Sequence, residues 1–371
     1  MTKKYYRNII FSKTPLKTHL KAGEHFQIYP CDFPNAPKSP RGFDFPLIIE
    51  YWVDDDIRED VSSFFEEFED VEGIEYLKDS FSRTAIQTVK LSQITRLLSV
   101  ATNHRVFQLS ESEYKWGVPL PNKKPTELTE DQKDKLNNSP SQLIMGIYTY
   151  PEMWKDLVAI NFTEQRHANS IFTPHRNYYV NEPIVDRNKH ITFPDTIFQI
   201  IENYFELEPA SKKIIDSITH LICNGVDIRM KMKSLSFLSF VSAIETIVNF
   251  ELKDKRSDIE FECNHCHALK TSPISCHYCG KPIWGVKVKF KEFLKTYVAK
   301  DDYSVKKYNK IYKLRSEIVH NGILLLGDEQ LDWSKSDQPN SQYITHLEAM
   351  QIAKLSVVNW LLLGPNKKLV E

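Results

Sequence analysis

Residues 263–280 read CNHC-HALKTSPIS-CHYC-G, two CxxC units separated by nine residues. A CxxC turn aims two sulfurs at one point, and two such turns supply the tetrahedral thiolate set that zinc prefers. The spacing predicts one structural zinc ion on Cys263, Cys266, Cys276 and Cys279, within an insertion spanning about 261–285. Gly280 follows the second pair, where a knuckle needs a tight backbone turn. Lys270 and Lys281 would offset part of the charge of four thiolates. His265, His267 and His277 are rival ligands, but four sulfurs already close the shell. A closed shell has no open coordination position, which argues against a catalytic zinc. It leaves open whether the surface of the insertion touches nucleic acid.

A chain of 371 residues is long for one domain and can bury a core without staples, so the zinc organises a local loop rather than the whole fold. Six cysteines, four of them in CxxC units, fit a reducing, intracellular compartment better than a disulfide framework. Cys223, within the apolar run IIDSITHLIC, reads as a buried thiol. The N-terminus, MTKKYYRNIIF, lacks a signal-peptide apolar run, and no stretch of about eighteen apolar residues occurs. The expectation is a soluble, cytoplasmic protein with no membrane partner.

Periodicity divides the chain into an α+β whole: a mixed α/β domain over 1–190 and an all-α bundle over 191–371. In the first, Phe45 to Val53 (FPLIIEYWV) is a strand candidate. Ser92 could cap a helix through QITRLLSVAT. Short strands are expected at Arg105 to Leu109 and Leu143 to Tyr150, with a polar, proline-punctuated loop over 119–141. In the second, helices follow Asp195, Ser211 and Ser234. The helix after Ser211 is expected to stop at Asn224-Gly225. VKVKFKEFLKTYVAK, SVKKYNKIYKLRSEIVHNG and a last helix from about Gln342 to Leu363 complete four or five helices, with the cysteine insertion between two of them.

Net charge is -1, but it is unevenly spread. Between Glu50 and Asp79 stand thirteen acids against two bases; between Lys281 and Arg315, eleven bases against three acids. Such polarity points to a polyanion-binding region, or to two solvated helix faces of opposite bias. No Walker-type or Rossmann-type glycine signature occurs among the 11 glycines.

Arg315 and His320 stand in KLRSEIVHNG, at the end of a helix in the basic region. Taken alone they are an ordinary helix ending: basic groups in a last turn suit the helix dipole, and Asn321-Gly322 is a normal stop. Five residues of ideal helix put about 140° and about 7.5 Å between them. They converge only if His320 lies at a frayed end, or if a second subunit supplies the complementary pair.

The R-x4-H element, late in a helical bundle and preceded by the helix SFLSFVSAIETI, resembles the HEPN superfamily. More narrowly, residues 211–363 resemble the ApeA-like HEPN domain of bacterial anti-phage defence. The resemblance implies a metal-independent endoribonuclease working as a homodimer, with Arg315 and His320 as the motif pair facing across a two-fold axis. Ser316 departs mildly from the Asn, Asp or His frequent after the motif arginine. Glu245, in the SAIE stretch, is either an acidic neighbour of the pair or an exposed helix carboxylate. It further implies a toxic effector of abortive infection, released by a phage-derived or regulatory trigger, with the first half as sensor. Catalytically dead HEPN domains exist, so a non-catalytic nucleic-acid- or partner-binding protein is the alternative.

These residue types suit RNA cleavage. A ribose 2'-OH nucleophile needs proton transfer, which histidine provides near neutral pH. It also needs charge stabilisation, which an arginine fork provides. The basic stretch would hold the RNA backbone, and the interleaved Phe290, Phe293, Tyr297, Tyr303, Tyr308 and Tyr312 could stack bases or form core. The acidic run from Glu50 to Asp79 could occupy the same basic path as an electrostatic mimic.

Overall fold

Two ten-residue runs rich in β-branched and aromatic residues, β1 (Lys3–Ser12) and β4 (Phe45–Asp54), pair antiparallel along their whole length, Lys3 opposite Asp54 and Ser12 opposite Phe45. The computed structural model describes residues 3–32, 44–54, 56, 74–108, 129–130, 158–159, 161–179, 190–252, 260–271, 278, 285–326, 328 and 339–363. The chain divides into two units, 1–201 and 202–371. It is an α+β protein, with a small sheet in the first unit and a mostly helical second half.

In the first unit, β2 (Leu20–Ala22) and β3 (Phe26–Pro30) extend the sheet to the order β2-β3-β4-β1-β5. β5 (Val106–Phe107) pairs one end of β1 and β6 (Val158–Ala159) the other. The strand expected at Phe45 to Val53 is β4. That expected at Arg105 to Leu109 shortens to β5, and Leu143 to Tyr150 lies outside the described residues, as does the loop over 119–141 apart from 129–130. Helix α1 (Ile74–Ala101) begins well before Ser92. Its Leu91, Ile94, Leu98 and Ala101 recur every three or four residues and are fully buried. Residues of period two split the sheet into two faces. One is apolar, with Ile10, Phe26, Ile28, Ile49 and Tyr51 buried. The other carries Tyr5, Arg7, Glu50, Trp52, Gln27, Tyr29 and His19, which stand side by side by register. Short helix α2 (His175–Tyr178) and the parallel pair β7 (Phe172–Thr173) and β8 (Phe193–Pro194) follow, then α3 (Ile197–Phe205).

The second unit is built on α4 (Pro209–Ile228), α5 (Lys233–Glu251), α6 (Val286–Tyr297), α7 (Asp302–Asn321) and α8 (Pro339–Leu363). α5 contacts the other four. Its sequence explains that place: Phe237, Phe240, Val241, Ile244, Ile247 and Val248 recur at helical spacing and form one broad buried apolar stripe. α4 corrects one expectation. It runs through Asn224-Gly225 to Ile228 rather than stopping there. Gly225 is present for packing, because a Cβ would lie 2.6 Å from Phe240 Cε1. Gly225→Ala gains about 1 kcal/mol of helix propensity, but overpacking against a fixed ring costs about 1–3 kcal/mol. We expect net destabilisation, read as a lower midpoint in urea unfolding.

The N-terminus of α5 shows a long-range cap. No side chain at Met232 caps it. Asp328 instead accepts from Lys233 N at 2.8 Å and Ser234 N at 2.5 Å, while Ser234 Oγ accepts from Leu325 N at 2.8 Å. Burial opposes ionisation of Asp328, but the Ser234 and Lys233 amides outweigh it and hold the carboxyl below its ordinary range. Asp328→Ala should lower stability by about 1–2 kcal/mol at neutral pH, measured by denaturant unfolding. The Asp328 contribution is present above about pH 4 and is lost as acid titrates the folded carboxyl. No described helix is long and apolar enough to cross a membrane.

Candidate functional site

α7 begins at a capped turn, with Asp301 Oδ1 accepting from Ser304 N at 3.0 Å and Oδ2 from Ser304 Oγ at 2.7 Å. It ends at Gly322, whose φ of 66° and ψ of 17° are left-handed, with its N–H on Glu317 O. The Asn-Gly stop read from the sequence is thus the real end of the helix. Tyr308, Ile311, Leu314 and Ile318 form its buried stripe. Arg315 borders that stripe, one turn after Ile311.

From there Arg315 reaches α5. Its Nη2 donates to Glu245 Oε2 at 3.3 Å, and its Nε lies 3.3 Å from Glu245 Oε1. The two side chains are 25% and 16% exposed, so the pair is partly shielded from water. The contact is loose for a charge-assisted fork, whose N–O distances are about 2.7–2.9 Å. Glu245 Oε1 is buried and receives no hydrogen bond of good geometry among the described residues. Tyr312, one turn before Arg315, joins the cluster: burial, then the Glu245 charge, push its phenol up, and Arg315 partly offsets them. Phe290 on α6 sets the Tyr312 ring edge-on, with centroids 5.5 Å apart. Of the two readings of Glu245, the arginine's neighbour is the one the packing produces.

His320 is placed differently. α7 stays helical through Asn321, so a frayed end does not bring His320 round to Arg315. The ideal-helix separation of about 140° applies. His320 lies on the outer face with Lys313 and Glu317, which pair at 3.6 Å. It is exposed and has no hydrogen-bond or ion-pair partner among the described residues. Exposed apolar residues surround this end: Val319, Ile323 and Leu324 are 48%, 47% and 40% exposed. Just beyond it, Leu325 N donates to Ser234 Oγ of α5 and Leu326 N to Gln342 Oε1 of α8. Met232 and Leu235 at the start of α5, and Tyr343 and Ile344 on α8, are also about half exposed.

The basic stretch is less open than its composition suggests. Lys289 is buried, and Lys295, Lys307 and Lys313 pair with Glu292, Glu348 and Glu317. Lys287, Lys300 and Lys306 are exposed. Phe290, Phe293 and Tyr308 are core, as helical spacing allows, and Tyr303 is 68% exposed with Lys307 Nζ 4.4 Å from its ring centroid. On the acidic side, Glu50 is buried in the sheet and Asp79 bonds Arg83, so neither belongs to a free acidic surface; all of 57–73 lies outside the described residues.

The first CxxC unit is a hairpin knuckle. β9 (Glu260–Glu262) pairs with β10 (Leu269–Thr271). Between them His267 N donates to Cys263 O at 2.8 Å, and Cys263 N to Ala268 O at 3.0 Å. His267 adopts φ 53°, in the left-handed region that glycine favours. Cys263 is buried and Cys266 is exposed. His267 Nδ1 lies 2.6 Å from Glu262 Oε1, which gives that ring a partner other than a metal. Cys276, Cys279 and His277 lie outside the described residues, and among the described residues no three His, Cys, Asp or Glu side chains group as a metal site.

Neither protein-family models, nor curated proteins, nor solved structures match this chain.

Proposed function

We propose that the second unit is an ApeA-like HEPN domain acting as a metal-independent endoribonuclease, a toxic effector of anti-phage abortive infection. The observation carrying this reading is that Arg315 is aimed by Glu245 from a neighbouring helix, while His320, on the same helix as Arg315, is exposed and has no partner among the described residues. Arg315 would stabilise the phosphate as charge develops, and His320 would transfer protons at the ribose 2'-OH or the leaving oxygen. Glu245 is the positioning group for the guanidinium. Because the two side chains diverge, the site needs a homodimer, and the apolar residues around His320 are the surface a second copy would cover. RNA would lie along the exposed lysines of α6 and α7.

A structural zinc on Cys263, Cys266, Cys276 and Cys279 would stiffen the insertion without taking part in the reaction. Elemental analysis should find one zinc per chain, and Cys263→Ser should lower it; a metal-free wild type would remove this part.

The divergence of Arg315 and His320 also favours the second reading, a non-catalytic RNA- or partner-binding protein. RNA cleavage by the wild type in EDTA, against Arg315→Ala and His320→Ala, separates the two. An equimolar mixture of the two variants, refolded together, adds the geometry. If Arg and His act across the two-fold axis, mixed dimers regain part of the activity. Equal cleavage by wild type and both variants would leave the binding reading.

A further inference from the structure

The polar face of the sheet in the first unit is crossed by residues 161–170, which pass over β1, β4, β3 and β2 in turn. Phe162 meets Tyr5 edge-on, with centroids 5.0 Å apart, and Lys21 Nζ lies 5.8 Å from its ring. Thr163 N donates to Glu50 Oε2 at 2.8 Å, its carbonyl accepts from Gln27 Nε2 at 2.9 Å, and its hydroxyl accepts from Arg7. His167 stacks on Tyr29 at 6.0 Å. At the β2 edge, Ala168 O accepts from His19 N at 2.8 Å and Ser170 N donates to His19 O at 3.0 Å.

Two observations separate this strap from ordinary sheet cover. First, the buried charge beneath it is compensated without it. Glu50 Oε1 accepts from Arg7 Nε at 2.8 Å and Tyr29 OH at 2.7 Å, and Oε2 from Gln27 Nε2 at 2.6 Å. Removing Thr163 N therefore leaves Glu50 three donors from the sheet itself. Second, the strap buries little. Thr163, Glu164, Arg166, Ala168 and Asn169 are exposed, and Ser170 alone is buried. Segments with few buried apolar contacts open locally before the sheet does.

We propose that the strap is an internal stand-in for an external ligand: an extended polypeptide carrying an aromatic residue followed by Ser or Thr. Tyr5 and Lys21 take the ring, Gln27 and Glu50 read the next residue's carbonyl and amide, Arg7 takes its hydroxyl, and the β2 edge pairs the backbone further on. This inference stands apart from the ribonuclease reading, because binding alone tests it.

The test uses the full chain, its opened form Phe162→Ala/Thr163→Pro, and a labelled peptide of residues 161–170 (NFTEQRHANS). Proline removes the amide that Glu50 reads. The opened form should bind the peptide about tenfold or more tighter than the wild type, whose own strap competes for the face. The peptide carrying the same two changes should not bind. In the wild type, strap amides should exchange with deuterium faster than those of β1 and β4. Equal peptide affinity for both chains, or no binding by an opened form whose β1 and β4 amides stay protected, overturns the proposal. So does loss of the sheet in the opened form, since the strap would then be structural.

Discussion

Arg315→Ala is expected to lower the rate of RNA cleavage by about 10²–10³-fold, and His320→Ala by about 10²–10⁴-fold, with EDTA present throughout. The first change needs a control, because it leaves the Glu245 carboxylate shielded and without its cation. A loss of activity could then reflect a loosened α5–α7 contact. Arg315→Ala/Glu245→Gln removes the stranded charge, so thermal stability should return toward that of the wild type. A structural role for Arg315 would bring activity back with it; a role at the phosphate would not. Glu245→Gln alone keeps the guanidinium but weakens its aim, so the loss should be smaller than for either motif residue. For His320 the control is simpler, since an exposed side chain with no partner among the described residues can be removed with little effect on folding. Dimer mass and helical content of each variant complete the comparison.

The elements of the second unit were legible because their signals are local. α5 reads as a central helix from its own apolar residues, and α7 carries both its cap, Asp301, and its stop, Gly322. What misled was tertiary. Asn224-Gly225 has the composition of a helix stop, but the glycine answers to Phe240, fifteen residues on. Ser234 looks like the cap of α5, yet the cap is Asp328, which lies 94 residues away, and Ser234 serves a different amide. In the first unit Glu50 counted as one acid in a solvated run. Strand register instead sets it opposite Arg7 and Gln27, inside the sheet. Glu245 and Arg315 are 70 residues apart, and no periodicity on either helix says that they meet. The candidate site is thus half legible: Arg315, His320 and the CxxC spacing can be read along the chain, while the Glu245 and Tyr312 neighbours of Arg315 follow only from packing.

Acidification from pH 7 to pH 4 should destabilise the wild-type second unit by about 3 kcal/mol more than it does His346→Gln. His346, on α8, is 3% exposed, and its ring lies against Phe237 and Phe240 of α5. Its Nε2 is 2.8 Å from Ser236 Oγ, and that hydroxyl donates to Gly225 O at 2.7 Å. The serine proton is therefore spent, and Nε2–H of a neutral imidazole is the donor. Burial first, then the charges of Arg229 and Lys233, push His346 down to about 4, and Asp328 only partly opposes them. Between about pH 6.5 and pH 4 the unfolded chain takes up a proton that the folded chain refuses, so stability rises with pH across that window. Carboxylates such as Asp328 titrate in both proteins, and the difference between them isolates the imidazole. The side-chain amide introduced by His346→Gln can keep a donor toward Ser236, so the variant should fold at pH 7, with a flatter acid limb in urea unfolding measured from pH 4 to pH 7. Parallel acid limbs would mean that the ring finds an acceptor for its second proton, and that the α5–α8 contact opens to let it.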